Sequence, residues 1–282
     1  MQFGISVPNF DVCSDPRTAM ELAHIAEDAG WDGFFLWDHV LWTWPHIMPA
    51  SDPYMLLAAM AAVTSRIKLG TMITPVPRRR PWNLARQMTT LDHLSGGRAI
   101  LGVGIGGDWF GDYSKFGESS PEDQKTHGEM LDEGLQVITG LWTGEPFSYE
   151  GKHYHIKEAQ FLPKPVQQPR IPVWVAGIWP NRKPFRRAAQ WDGVFPIVAD
   201  QDGQITATQA RDALAYTLQF RQSTGHFDLV VGGKSSGADR DKDRDSAAAM
   251  ADVGATWWME SLGMPIVLKD ARTRLKQGPP RG

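Results

Sequence analysis

Cysteine is nearly absent: Cys13 is the only one in 282 residues. A single thiol excludes an internal disulfide and a cysteine-based zinc site, and it fits a reducing cytosol. Long apolar runs are missing too. No stretch of about 18 apolar residues occurs, so no membrane span is expected. The first nine residues, Met1 to Asn9, lack the basic and apolar regions of a signal peptide. Charge of one sign is also lacking. A formal net charge of −3 gives no electrostatic case for nucleic acid. His46, His153 and His155 have neither ligand spacing on one helix face nor an acidic cluster beside them, so no metal is expected.

Tryptophan is the residue in excess, with 12 in the chain. Most lie near predicted strands or the loops that follow them. Such residues pack cores, or they line a pocket for a flat or apolar ligand. Trp42, Trp44, Trp109 and Trp179 follow strands rather than sit in them, which suits a substrate pocket.

Residues 66 to 107 are the most informative stretch. Ile67 to Ile73 is short, apolar and rich in Ile and Thr, as a buried strand is. Leu84, Met88, Leu91 and Leu94 then recur at helical spacing behind Pro81, and Gly96-Gly97 ends that helix. Ala99 to Val103 begins a second strand. Strand, helix and strand in this order make a parallel unit with a right-handed crossover. The second strand runs into Gly102, Gly104, Gly106 and Gly107. That is either a tight turn or a place where a flat ligand approaches the backbone.

The same rhythm extends along the chain. Strands are predicted near residues 3–7, 31–37, 67–73, 99–103, 171–176, 193–198, 229–231 and 256–259. A helix follows each; Asp52-Pro53 caps the second and Ser120-Pro121-Glu122 opens the fourth. Residues 143–170 break the pattern with a hairpin turning at Gly151 and a proline-rich stretch, an insertion rather than a linker. Eight such pairs describe one α/β domain over residues 1–282, a (β/α)8 TIM barrel with an insertion between strands 4 and 5. A doubly wound sheet would carry its glycines after the first strand. Residues 232–244, polar and glycine-rich, read as a mobile loop.

A barrel places its active site where strands end. That rule selects Asn9, Phe10, Asp38, His39, residues 71–75, 104–109, 176–182, 196–199 and 232–234, and Glu260. His39 can exchange protons near neutral pH at a pocket mouth, or simply bond to backbone. The run Arg182, Lys183, Arg186 and Arg187 reads as a phosphate site at a helix start or as a solvated face. Arg78, Arg79 and Arg80 carry the same two readings.

Taken together, these segments resemble the luciferase-like family of flavin- and deazaflavin-dependent oxidoreductases. The matching stretches are A-E-D-A-G-W-D-G-F-F-L-W-D-H-V (26–40), I-K-L-G-T-M-I-T-P, L-D-H-L-S-G-G-R-A-I-L-G-V-G-I-G, P-V-W-V-A-G (172–177), W-D-G-V-F-P (191–196) and G-A-T-W-W (254–258). The resemblance implies a (β/α)8 barrel that holds FMN or the deazaflavin coenzyme F-420 at the carboxyl ends of its strands. It implies a non-proline cis peptide within residues 71–73, near Met72, pressed against one ring face. Thr71, Met72, Ile73, Gly104, Ile105 and Gly106 would contact the cofactor, with its phosphate near Ala176, Gly177, Ile178 and Arg182. His39 matches a histidine often implicated in catalysis, and Asn9 joins the four tryptophans in the substrate pocket. The chain departs from the sugar-phosphate dehydrogenases of the deazaflavin branch. Gly107 and Asp108 stand where those place a glutamate.

The expectation is therefore a cytoplasmic, homo-oligomeric monooxygenase that uses reduced FMN and dioxygen on a small organic substrate. A separate flavin reductase would supply the reduced FMN. F-420-dependent hydride transfer is the alternative, and a non-catalytic flavin-binding or ligand-sensing barrel is the rival from another class. A hydrolase or lyase on the same barrel would have no flavin affinity.

Overall fold

The computed structural model describes residues 1–118, 123–199 and 204–281. The strands are β1 (Gln2–Val7), β2 (Gly33–Leu36), β3 (Lys68–Pro75), β4 (Ala99–Gly104), β5 (Phe147–Glu150), β6 (His155–Ala159), β7 (Val173–Trp179), β8 (Gly193–Val198), β9 (Asp228–Gly233) and β10 (Trp257–Ser261). The helices are α1 (Pro16–Asp28), α2 (Pro53–Val63), α3 (Pro81–Ser95), α4 (Gln124–Trp142), α5 (Arg182–Ala188), α6 (Ala207–Leu218), α7 (Arg240–Ala251) and α8 (Leu268–Lys276). Eight parallel strands close in the order β1-β10-β9-β8-β7-β4-β3-β2 among the described residues, so the expected (β/α)8 barrel is present. The antiparallel pair β5–β6 stands apart, within the stretch read as an insertion.

Local chemistry explains the boundaries. Asp52 accepts hydrogen bonds from the Tyr54 and Met55 backbone N–H groups, and Pro53 opens α2. Gly96 closes α3 at φ +65°, a conformation costly for any side chain. The opening of the fourth helix at Ser120 to Glu122 lies outside the described residues; α4 is capped by Asp123, which accepts from Thr126 N–H.

One expectation is corrected. Residues 232–244 are not one loop: β9 runs to Gly233 and α7 begins at Arg240. Asp239 caps α7 through Lys242 N–H, and the buried Asp243 carboxylate accepts from Ser236 and Gly237 N–H. This helix buries only Asp243 and Ala247, so its sequence reads as loop.

Inside the barrel Phe35, Met72, Ile100, Trp174, Val230, Trp257 and Met259 form a separate apolar cluster. It plugs the lower barrel, and the ligand space lies above it. At the opposite end Glu27, in α1, accepts from the backbone N–H groups of Ser65, Arg66 and Ile67, clamping α1 to the start of β3. Arg98 donates to the carbonyls of Ala61, Thr64, Ile67 and Ser95, which ties off the end of α2. No described helix is long and apolar enough to cross a membrane.

Candidate active site

A cavity of about 1310 Å³ opens at the carboxyl ends of the strands. Strand alternation sends every second side chain into it: Ala176 and Ile178 from β7, Phe195 and Ile197 from β8, Met259 and Ser261 from β10, with the Gly232 backbone of β9 between them. Ser6 and Trp37 line it from the first two strand ends, joined by a hydrogen bond from Trp37 Nε1 to Ser6 Oγ at 3.1 Å.

One wall comes from β3. Between Thr71 and Thr74 the strand spends three steps against two on β4, and the Met72–Ile73 peptide inside this bulge is cis. Met72 and Ile73 line the cavity. Thr71 does not: it is fully buried and braces the bulge, donating to Gly102 O (3.2 Å) and accepting from Thr74 Oγ1 (2.9 Å). Gly104 faces Ile73 so closely that a Cβ there would lie 2.4 Å from Ile73 Cδ1. Ile105, Gly106 and Gly107 continue that wall.

His39 enters from the loop after β2. Its Nδ1 lies 2.9 Å from Asp112 Oδ2, and its side chain is 18% exposed. Burial by itself would raise the Asp112 carboxyl pKa. The hydrogen bonds from His39 and Val40 N–H and the Arg78 charge outweigh it and hold the carboxyl below its usual value. An ionised carboxylate only accepts, so His39 carries its proton on Nδ1 and leaves Nε2 for a ligand.

Arg78 bridges the carboxylates of Asp112 (3.0 Å) and Asp38 (2.8 Å), and Arg79 meets Asp38 through two nitrogens at 2.7 and 2.8 Å. Neither arginine is a phosphate ligand or a solvated face, because both guanidiniums are committed inside the protein. Asp38 is buried between them.

The His39 loop is itself built from residues expected in the substrate pocket. Asn9 is fully buried; its amide accepts from His39 N–H (3.0 Å) and donates to the His39 and Ser51 carbonyls (2.8 Å each). Trp42 stacks on Phe10 and lies against the tilted Phe110 ring, at 4.1 and 3.7 Å between centroids, and donates to the Trp44 carbonyl. Trp44 is 70% exposed and does not line the cavity. Trp179 packs on Phe185 and Tyr216 outside it. Of the four tryptophans proposed for the pocket, Trp109 alone lines it. Glu260 points away and holds Ser235 through its N–H (2.8 Å) and hydroxyl (2.9 Å). Asp108 lines the cavity; burial opposes its ionisation, but its bonds to Ser114 and Tyr113 lower its pKa.

At the far rim the cavity runs between α4 and α5. Lys125, Arg182, Lys183 and Arg187 stand there, with Ala176 and Gly177 beneath. The Arg182 guanidinium sits over Trp179 and Tyr216, at 4.4 and 4.3 Å from their centroids. Arg187 is paired with Asp132, and Arg186 turns outward to the Tyr216 hydroxyl.

Sequence reasoning missed Trp37, Asp112, Phe195 and Met259. Strand alternation would have found the three apolar residues. Asp112 carries no local signal.

The site thus combines a closed barrel, a cis-bulged third strand, a glycine-edged fourth strand and a partly exposed histidine paired with a buried aspartate. The family described as luciferase-like monooxygenase matches residues 1–274, and the chain belongs to that family. F-420-dependent glucose-6-phosphate dehydrogenase of Nakamurella multipartita is 35% identical over 169 residues, covering 58% of this chain and 48% of that protein. The chain spans about half the length of the curated relatives it matches. Coenzyme F-420-dependent tetrahydromethanopterin reductase from Methanopyrus kandleri has the same fold, with a TM-score of 0.76 at 19% identity over 98% of this chain and 96% of that one. The FMN-complexed oxygenating constituent of 3,6-diketocamphane monooxygenase, from the CAM plasmid of Pseudomonas putida, follows at 0.64 and 20% identity, covering 87% and 70%. Members of this family are oxidoreductases, and these relatives use either cofactor.

Proposed function

We propose that the chain binds the deazaflavin coenzyme F-420 and moves a hydride between it and a small, mainly apolar alcohol or carbonyl compound. The observation that carries this reading is the His39–Asp112 pair, which opens on an apolar chamber that continues into a cationic rim. FMN, the first expectation from the sequence, becomes the second reading. Two considerations support the change: the name of the Nakamurella relative, and a rim where Lys125, Arg182 and Lys183 stand beside the Arg187–Asp132 pair and Glu129, an excess of cations that suits a polyanionic tail.

The residues present fit such a group. Gly232 faces the cavity with only Phe195 near, 4.0 Å from where a Cβ would stand, so the floor is kept clear for a flat ring. Met72 and Ile73 would support that ring, and Lys125, Arg182 and Lys183 would hold its phosphate tail. When bound, the deazaflavin supplies a two-electron hydride donor or acceptor.

The protein's part is positioning and proton management. His39 Nε2 accepts a proton from an alcohol, or gives one to a carbonyl oxygen, while Asp112 holds the other ring nitrogen in one tautomer. Trp37, Phe195, Ile197 and Met259 exclude water from the chamber. Cations gather at the α4–α5 rim, and Arg78 near His39 is committed to two carboxylates. A phosphorylated substrate therefore lacks a counter-charge beside the histidine.

The apolar lining and the FMN-complexed Pseudomonas relative favour the second reading, a reduced-FMN monooxygenase fed by a separate reductase. Anaerobic assay with F-420 and a panel of secondary alcohols separates the two. Bleaching of F-420 absorbance without dioxygen supports hydride transfer. Turnover only with reduced FMN and dioxygen overturns it.

A further inference from the structure

We infer that Arg78 is a positioning residue for His39, acting through Asp112. This rests on the reading of His39 as the proton carrier. Arg78 ends the short turn after β3, with its side chain 5% exposed. Nη1 donates to Asp112 Oδ1 at 3.0 Å, and Nη2 donates to Asp38 Oδ1 at 2.8 Å and to the Asp38 carbonyl. On Asp112, Oδ1 also accepts from Val40 N–H at 2.8 Å, which leaves Oδ2 for the imidazole. Remove the guanidinium, and one backbone N–H and the ring itself are what remain to orient a buried carboxylate.

The network runs Asp52–Arg79–Asp38–Arg78–Asp112, with alternating signs. His39 therefore meets Asp112 as the end of a charge-alternating chain rather than as one half of an isolated pair. A planar fork spans two carboxylates at fixed angles, which a single ammonium does not reproduce. Arg78 also follows directly from the strand that carries Met72 and Ile73. It thus ties the bulged wall of the cavity to the histidine opposite.

A second cavity of about 390 Å³ adjoins this network and is lined by Asp38, His39, Arg78, Asp112, Phe116 and Glu118. Phe116 is 56% exposed, so the cavity gives a route from solvent to the position of the guanidinium. That route makes chemical rescue possible.

The test follows exchange of the His39 ring N–H with water by NMR of protein labelled with nitrogen-15 histidine. The wild type shows a protected Nδ1–H. Arg78→Ala exchanges about tenfold faster or more, as expected for the loss of a charge-assisted anchor. Millimolar guanidinium restores protection in that variant and sodium does not. Arg78→Lys recovers it in part. Asp38→Asn, an isostere, loses protection in the same direction and carries the test where Arg78→Ala does not fold. Affinity for F-420, read by fluorescence, stays near the wild-type value in all of them. Wild-type exchange in both Arg78→Ala and Asp38→Asn overturns the inference, as does folded Arg78→Ala that guanidinium fails to rescue. Absence of F-420 binding by the wild type would instead overturn the proposed function and leave the exchange result readable.

Discussion

His39 and Asp112 lie 73 positions apart in sequence and 2.9 Å apart in space, Nδ1 to Oδ2. The pair joins the loop after β2 to the loop after β4, and it fixes which ring nitrogen faces the cavity.

Removing the carboxylate tests that orienting role. Asp112→Asn lowers turnover by about 10²-fold or more, the range expected when a general acid–base group loses its tautomer and orientation. Cofactor affinity changes little, because Asp112 touches the histidine rather than the rim. Steady-state rates beside a fluorescence titration check both halves.

The floor of the cavity gives a second prediction. Gly232 has no positive φ to protect, and a side chain there meets open space above Phe195. Gly232→Phe therefore keeps thermal stability close to wild type, yet weakens binding of the cofactor by at least about tenfold, equivalent to about 1.4 kcal/mol. Differential scanning fluorimetry and the same titration measure the two effects.

Stability should depend on acid pH through Glu27. Its burial opposes ionisation, but the backbone N–H groups of Ile67, Arg66 and Ser65 outweigh it and bring the pKa from 4.5 to about 2. A depressed carboxyl contributes stability that is complete above the unfolded-state value and is lost as pH falls through the folded one. Denaturant unfolding should show Glu27→Gln less stable than wild type by up to about 3 kcal/mol at neutral pH. The gap narrows between pH 4.5 and about 2. A gap that stays constant across that interval contradicts the assignment.

Much of this fold was legible because local chemistry agreed with the global arrangement. Asp52-Pro53 and Gly96 mark helix ends through backbone rules that act within a few residues, and both stand where expected. The cis peptide at Met72–Ile73 was inferred from the family resemblance, since nothing in the two residue types announces it. The start of α7 was lost because every residue from Arg240 to Asp245 is charged, and the helix rests on the surface with few buried contacts.

The site was legible on its strands and poorly so in its loops. Gly104, Ala176 and Ile178 follow from where strands end. Asn9 and Trp42 stand at the same level yet serve the loop that carries His39, because a buried amide and a stacked indole were needed to shape it. Arg78 read as a phosphate site or a solvated face until Asp38 and Asp112, distant in sequence, closed around it.

The most direct test is titration of the purified protein with F-420 and with FMN, each followed by fluorescence. Saturable binding of F-420, tighter than that of FMN and weakened by Gly232→Phe, is the result predicted. Binding of neither cofactor, or of FMN alone, contradicts the account.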